Sequence, residues 1–206
     1  MKMNMDSGNS ASNTGSKLWR EILDLIYKKA YQRSLVRLAS GRESNFYVDC
    51  RQVTLTGEGL YMLAAYILEL IRRENMAVKA VGGPIMGAVP LAAAVSLLSY
   101  RNSFADPSAA VLDTFFVRPE PKGHGTGKQV EGQIASEGTP LLLIDDVLTT
   151  GGSILKAVNP LRESGCLIER VLVIVDRQEG GRENLEKEGL SVGSILTRED
   201  LENYEP

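Results

Sequence analysis

The chain has 206 residues, 43% of them hydrophobic, and a formal net charge of -3, which suits one globular domain with a substantial core and argues against a general nucleic-acid surface. Cys50 and Cys166 are far apart and the chain has one histidine, so neither a zinc set nor a disulfide framework is indicated. No apolar run reaches membrane-spanning length and no secretory pattern opens the chain, so we expect a cytoplasmic protein that binds neither membrane nor nucleic acid.

The N-terminal region divides into a polar tail and a first helix. Residues 1–16 are rich in Ser, Asn and Gly, a composition typical of a flexible tail. Apolar residues then recur at helical spacing between Leu18 and Tyr31 and predict an amphipathic helix. We expect residues 17–206 to form a single domain, in which residues from about 17 to 52 form a hood or a subunit contact.

Residues 40–47, Ser-Gly-Arg-Glu-Ser-Asn-Phe-Tyr, form a hydroxyl-rich turn that leads into a short strand at 46–49. The rings of Phe46 and Tyr47 beside such a turn can hold a flat heterocycle. The alternative is that both rings simply belong to the core of the strand.

Strands and helices alternate through the rest of the chain, a pattern typical of a doubly wound, mainly parallel α/β sheet flanked by helices. Thr56 is the predicted N-cap of the first helix in this part. We predict helices at 57–75, 87–98 and 153–163, and strands at 78–81, 110–117, 141–144, 171–175 and 192–195.

The segment from about 118 to 132 is rich in glycine and carries the cations Arg118, Lys122 and Lys128 together with His124. Glycines permit movement, and cations that converge on one point can bind pyrophosphate, so we predict a mobile lid. His124 could donate or accept a proton near neutral pH. A solvated linker is the alternative.

Residues 141–153 combine an apolar strand with an acidic pair and a hydroxyl-rich loop. Asp145 and Asp146 would emerge where ligands of open α/β sheets bind, and they offer acceptors to vicinal ribose hydroxyls. The amides and hydroxyls of residues 149–153 precede a helix and can wrap a phosphate. For the acidic pair the alternative is a solvated strand end. For residues 149–153 the alternative is an ordinary turn with an N-cap.

Arg177 follows a buried strand at the same predicted sheet edge as the acidic pair. Its guanidinium could bind a substrate carboxylate through two hydrogen bonds. A structural ion pair with Asp176 or Glu179 is the alternative.

These segments together resemble the orotate phosphoribosyltransferases, members of the type I phosphoribosyltransferases. The resemblance covers nearly everything after the tail and rests on residues 40–47, 81–88, 116–125, 145–153 and 176–179. It implies a pentosyltransferase that converts orotate and 5-phospho-α-D-ribose 1-diphosphate (PRPP) to orotidine 5-phosphate and pyrophosphate in UMP biosynthesis. It also implies Mg²⁺ held mainly through pyrophosphate, and a homodimer whose lid reaches the neighbouring active site.

The resemblance also implies roles for individual residues, with Lys122, His124 and Asp146 as the catalytic ones. Thr149 and Arg177 would contact orotate with Phe46 and Tyr47 beside it, and Arg118 would join the lid residues on pyrophosphate. The ribose 5-phosphate would be bound by Asp145, Asp146, Val147, Leu148, Thr149, Thr150, Gly151, Gly152 and Ser153.

This chain departs from the family pattern at Ala39, Met86 and Pro119, where some members carry lysine. We therefore assign no catalytic role to those side chains. Two other functions stay open at this stage, a phosphoribosyltransferase for another base and a non-enzymatic regulator that senses PRPP. The lid and the acidic charge disfavour the regulator, and a carboxylate clamp at Arg177 would be of no use to an enzyme acting on another base.

Overall fold

The computed structural model describes residues 17–33, 36–37, 43–44, 46–120, 129–132 and 137–206. The predicted tail and the lid residues 121–128 lie outside these ranges. Within the hood and just after it the elements are α1 (Lys17–Lys29), β1 (Tyr31–Gln32), β2 (Val36–Arg37), β3 (Glu43–Ser44), β4 (Tyr47–Val48), α2 (Arg51–Thr54) and α3 (Gly57–Arg73).

The predicted first helix is confirmed as α1, which buries an apolar face that includes Ile22 and Ile26. It is anchored by Trp19, whose Nε1 donates a hydrogen bond to the carbonyl of Ile195 at 2.8 Å. A polar contact at the surface adds to this, since the hydroxyl of Tyr204 donates to Asp24 at 2.8 Å. The N-terminal helix is thereby attached to the C-terminal part of the chain.

The remaining elements build the main sheet and its helical layers. The strands of the main sheet are β5 (Ala80–Pro84), β6 (Asp113–Val117), β7 (Val130–Gly132), β8 (Pro140–Leu148), β9 (Leu167–Asp176) and β10 (Val192–Thr197). The helices are α4 (Ala88–Ser103), α5 (Gly152–Glu163), α6 (Gly181–Lys187) and α7 (Arg198–Glu202).

Among the described residues the main sheet has six strands in the order β10-β9-β8-β5-β6-β7. All neighbouring pairs are parallel except β6 and β7. The predicted doubly wound, mainly parallel sheet is therefore confirmed. The chain leaves β5 through α4 toward β6, whereas it leaves β8 through α5 toward β9, on the other side. The strand order thus reverses between β5 and β8, and ligands of such sheets bind at that point.

The alternation of side chains along β8 divides the core into two layers. Leu142 and Ile144 pack in a cluster with residues of α1, α3 and α4. Leu141 and Leu143 pack on the opposite face with residues of α5 and α6. A central strand covered on both faces needs this continuous apolar run, which is why it was visible in the sequence.

Several boundaries differ from the prediction. β8 continues to Leu148 instead of ending at Ile144, because β9 pairs with it as far as Asp176. α4 extends to Ser103, beyond the predicted end at residue 98. The short strand predicted at 46–49 is confirmed as β4. The other short elements, β1, β2, β3, β7, α2, α6 and α7, were not predicted, since they contain too few residues to show a periodicity.

The predicted N-cap at Thr56 is confirmed, since its side-chain oxygen accepts a hydrogen bond from the amide of Gly59 at 3.1 Å. Within the described ranges, none of the helices has the length and hydropathy needed to cross a bilayer.

Candidate active site

A cavity of about 520 Å³ lies where β5 and β8 separate. The two strands are paired only as far as Gly82 and Leu143, so beyond that register the backbone opens into a crevice. Its described lining comprises Tyr47, Val48, Asp49, Cys50, Arg51, Thr54, Leu55, Pro84, Ile85, Met86, Gly87, Pro90, Asp145, Asp146, Val147 and Ser153. Both predicted acidic residues therefore face the cavity at the switch point of the sheet.

Asp145 is buried, with 6% of its surface exposed. One carboxylate oxygen accepts from the amide of Asp146 and the other from the hydroxyl of Ser153, both at 3.0 Å. Burial, followed by the neighbouring charge of Asp146, raises the pKa of Asp145 to about 7. This carboxyl can therefore hold a proton near neutral pH until a ligand favours its ionised form.

Asp146 is half-buried beside it, and its Oδ1 accepts from the amide of Val147 at 2.8 Å. Burial also raises the pKa of Asp146, whereas the positive charge of Arg51 acts in the opposite direction. The two carboxylates can accept hydrogen bonds from neighbouring hydroxyls of a sugar and place negative charge beside it.

Gly87 closes the turn that follows β5 and passes directly beside the two carboxylates. A Cβ added at Gly87 would lie 2.7 Å from Asp145 Oδ1 and 2.7 Å from Asp146 Oδ1. Real Cβ contacts do not occur at that distance, so the backbone can approach the carboxylates only without a side chain. The adjoining Ile85–Met86 peptide bond is cis.

The loop of residues 149–153 runs from β8 into α5. Gly151 has φ 83, a left-handed conformation that favours glycine. The first turn of α5 presents amides that have no acceptor within the helix, and the helix dipole favours an anion there. Phosphate binding by this loop stays a prediction, and in this structure the Ser153 hydroxyl donates to Asp145.

Arg177 lies next to this loop because its amide donates to the carbonyl of Leu148 at 2.9 Å. The guanidinium is buried, pairs with Glu179 at 2.8 Å, and donates to the carbonyl of Phe46 at 3.3 Å. Asp176 accepts from Arg182 at 3.2 Å. Of the two ion pairs considered from the sequence, the one between Arg177 and Glu179 is therefore present.

Phe46 and Tyr47 are neighbours in sequence but have different surroundings. The Phe46 ring is fully buried, with Arg177 and Arg198 over it at 5.6 and 5.2 Å from the centroid. Tyr47 lines the cavity. A position of Phe46 beside a bound base stays a prediction, and in this structure its ring packs against the guanidinium of Arg177.

Arg118 begins the predicted lid and forms an ion pair with Glu131 at 3.1 Å. The other lid residues assigned from the sequence, Lys122 and His124, lie outside the described residues. Asp49 and Arg51 also line the cavity, although neither was among the predicted site residues. An acid and a base that directly follow a strand were the available signal.

Asp145 and Asp146 are the residues of this site that could contribute ligands to a divalent cation. Carboxylate oxygens are suitable ligands for Mg²⁺. Within the described part of the chain, however, no group of three or more Asp, Glu, His or Cys side chains could hold a metal ion.

Comparison with known proteins identifies relatives along almost the whole chain. Residues 55–195 match the phosphoribosyl transferase domain family. The chain is 40% identical over 187 residues to the orotate phosphoribosyltransferase of Thermosynechococcus vestitus, covering 91% of this chain and 94% of that one. It is 40% identical over 188 residues to the enzyme of the same name from Aquifex aeolicus, covering 89% of this chain and 98% of that one.

A solved structure adds a three-dimensional match. The Mycobacterium tuberculosis orotate phosphoribosyltransferase in complex with PRPP superposes with a TM-score of 0.70 at 31% identity. The match covers 90% of this chain and 99% of that one.

Proposed function

The chain belongs to the orotate phosphoribosyltransferase family, and from this premise we propose how its own residues transfer the phosphoribosyl group of PRPP to orotate. The products are orotidine 5-phosphate and pyrophosphate, in the synthesis of UMP. The observation that carries the proposal is the pair of carboxylates, Asp145 and Asp146, at the switch-point cavity beside the N-terminus of α5.

The ribose and its phosphate occupy the motif of residues 145–153. Asp145 and Asp146 accept hydrogen bonds from the ribose hydroxyls, and the amides of the loop at α5 bind the 5-phosphate. As the bond to pyrophosphate breaks, positive charge develops on the sugar. The carboxylate of Asp146, which is less buried than that of Asp145, stabilises this charge electrostatically.

Orotate lies between the ribose and Arg177. The guanidinium is held by Glu179 and the Phe46 carbonyl, so it is already placed and charged when a substrate carboxylate arrives. Thr149 lies close to Arg177, because the amide of Arg177 donates a hydrogen bond to the carbonyl of Leu148, the residue before Thr149. Orotate supplies its own nucleophilic ring nitrogen, whose proton leaves to solvent or to the pyrophosphate as the new C–N bond forms, so the enzyme needs no nucleophile of its own.

The charge of the cavity supports a role for cations that accompany PRPP. Among its described lining residues are three carboxylates, Asp49, Asp145 and Asp146, but one cation, Arg51. Mg²⁺ bound to the pyrophosphate would neutralise part of the substrate charge and of the charge that develops on the leaving group. Arg118, Lys122 and His124 would close over the same group and exclude water.

A homodimer is supported by an apolar stripe that runs along α4 to its C-cap residue, Phe104. Leu97, Tyr100 and Phe104 follow one another at helical spacing and are 72%, 55% and 74% exposed. A second copy packed there would cover this stripe. Cys50 and Cys166 are buried free thiols, which suits the reducing cytoplasm.

The reaction is tested by following the loss of orotate absorbance with PRPP and Mg²⁺. We expect turnover with orotate, and no turnover when uracil or hypoxanthine replaces it, because neither base carries a carboxylate for Arg177. Complete inactivity with orotate would disprove the proposal. Turnover with hypoxanthine would point to a purine phosphoribosyltransferase instead.

A further inference from the structure

We propose that Arg51 is a diphosphate-binding residue and that Asp49 is the residue that positions it. This inference rests on the proposed function, since it assigns a further ligand to the pyrophosphate end of the same site. It concerns two hood residues that the motifs of the sequence did not include.

Arg51 is held by a bidentate ion pair. Its Nε donates to Asp49 Oδ1 at 2.7 Å and its Nη2 donates to Asp49 Oδ2 at 3.2 Å. The amide of Arg51 also donates to Asp49 Oδ1, at 3.2 Å, and Gln52 donates to Oδ2 at 3.2 Å. These bonds fix the direction of the guanidinium and leave Nη1 available to a ligand.

The position of Arg51 relates it to the reacting groups. It lines the cavity together with Gly87, Asp145 and Asp146. Burial raises the pKa of Asp146, and Arg51 is the positive charge that lowers it. The guanidinium therefore lies close enough to Asp146 for its charge to favour the ionised carboxylate.

The charges of the residues that line the cavity indicate that Arg51 binds an anion. Arg51 is the single Lys or Arg among the described lining residues. Met86, on the facing turn, is 73% exposed and carries no charge. A diphosphate bound between Met86 and residues 49–51 could therefore pair with the guanidinium of Arg51.

A purely structural role for the pair is the alternative. The side chain of Arg51 is 64% exposed and that of Asp49 17%. Ion pairs that are largely exposed add little to stability, with a median of about 0–1 kcal/mol. A bidentate clamp that holds an exposed guanidinium over a cavity is better explained by ligand binding.

The test compares full-length Arg51→Gln with the wild type. Binding of inorganic pyrophosphate with Mg²⁺ is measured by titration calorimetry, and KM is measured separately for PRPP and for orotate. Loss of a charge-assisted hydrogen bond should weaken pyrophosphate binding and raise the KM for PRPP by roughly 10- to 100-fold. The KM for orotate should stay within about twofold of the wild type. Arg72→Gln, at an exposed position on α3, is the matched control and should match the wild type throughout.

Two further variants separate positioning from folding. Asp49→Asn should weaken pyrophosphate binding less than Arg51→Gln does, and should add nothing in the Arg51→Gln background. Arg51→Lys keeps the charge without the fork and should recover part of the lost affinity. Thermal unfolding of each variant shows whether the fold is retained.

The outcomes distinguish this inference from the proposed reaction. Unchanged pyrophosphate affinity in Arg51→Gln would overturn the inference, as would equal losses for PRPP and orotate accompanied by a lower unfolding temperature. If the wild type fails to turn over orotate but Arg51→Gln still weakens pyrophosphate binding, the reaction is wrong and the site assignment stands.

Discussion

The buried carboxyl of Asp145 should make the use of PRPP depend on pH. Burial and the adjacent Asp146 raise its pKa to about 7. Bound PRPP, with its hydroxyl donors and accompanying cations, favours the ionised form. Below pH 7 the carboxyl of Asp145 must lose its proton before it can accept hydrogen bonds from the ribose hydroxyls. We therefore expect kcat/KM for PRPP to fall by about tenfold between pH 8 and pH 6, as the ionised fraction does.

The same carboxyl affects stability in the absence of substrate. Its pKa rises from 3.8 to about 7 on folding, so between these values the folded state binds more protons than the unfolded state. Its contribution to the free energy of unfolding therefore falls as the pH rises from about 4 to about 7, by at most roughly 4 kcal/mol. Asp145→Asn should remove this dependence.

Proton release provides the assay for Asp145. The wild type and Asp145→Asn are titrated with saturating PRPP and Mg²⁺ at pH 6 in two buffers of different ionisation enthalpy. We expect the wild type to release about one proton more than the variant. The phosphates of PRPP titrate in both proteins, so the difference reports the carboxyl of residue 145 together with its effect on the neighbouring Asp146. Asp113→Asn, at an exposed carboxyl on β6, should behave as the wild type.

Equal proton release by the wild type and Asp145→Asn would refute this reasoning. So would a value of kcat/KM for PRPP that does not change between pH 6 and pH 8.

Four other changes test separate parts of the structure. Gly87→Ala would place a Cβ 2.7 Å from an oxygen of each site carboxylate, so we expect kcat/KM to fall by about 100-fold; near wild-type kinetics would contradict the packing. Lys122→Ala should lower kcat far more than it weakens orotate binding, and unchanged turnover would refute the lid assignment. Phe104→Glu should convert the proposed dimer to monomer in sedimentation experiments, because it places a charge on the apolar stripe of α4; an unchanged mass would exclude α4 from the interface. Thr56→Ala should lower the free energy of unfolding in urea by about 1 kcal/mol with kcat unchanged, and an unchanged urea midpoint would show that the cap contributes nothing.

Local signals allowed much of the fold to be predicted from the sequence. The N-cap at Thr56 depends on a hydrogen bond to Gly59, three residues further on, so it needs no knowledge of the rest of the chain. The apolar run of β8 was equally visible, since a strand buried on both faces must be apolar throughout. The acidic pair and the loop that follow are contiguous in sequence, and they were therefore recognised together.

The residues that line the cavity opposite this motif could be identified only from the tertiary structure. Asp49 and Arg51 line the same cavity as Asp145 and Asp146 although they are far from them in the chain, and no periodicity of the sequence reports such a contact. Arg177 was placed at the correct edge from the sequence, but its pairing with Glu179 and its contact with Phe46 required the two segments to meet.

The sequence by itself thus determined the alternating α/β order and the contiguous sugar-phosphate motif, because both arise from interactions between residues close together in the chain. The tertiary structure decided how far β8 extends, since that follows from its pairing with β9 and its early separation from β5. It also decided that Gly87 and Arg51 line the same cavity as both carboxylates. These residues are far apart in the chain, and only the folded arrangement of strands, helices and loops brings them together.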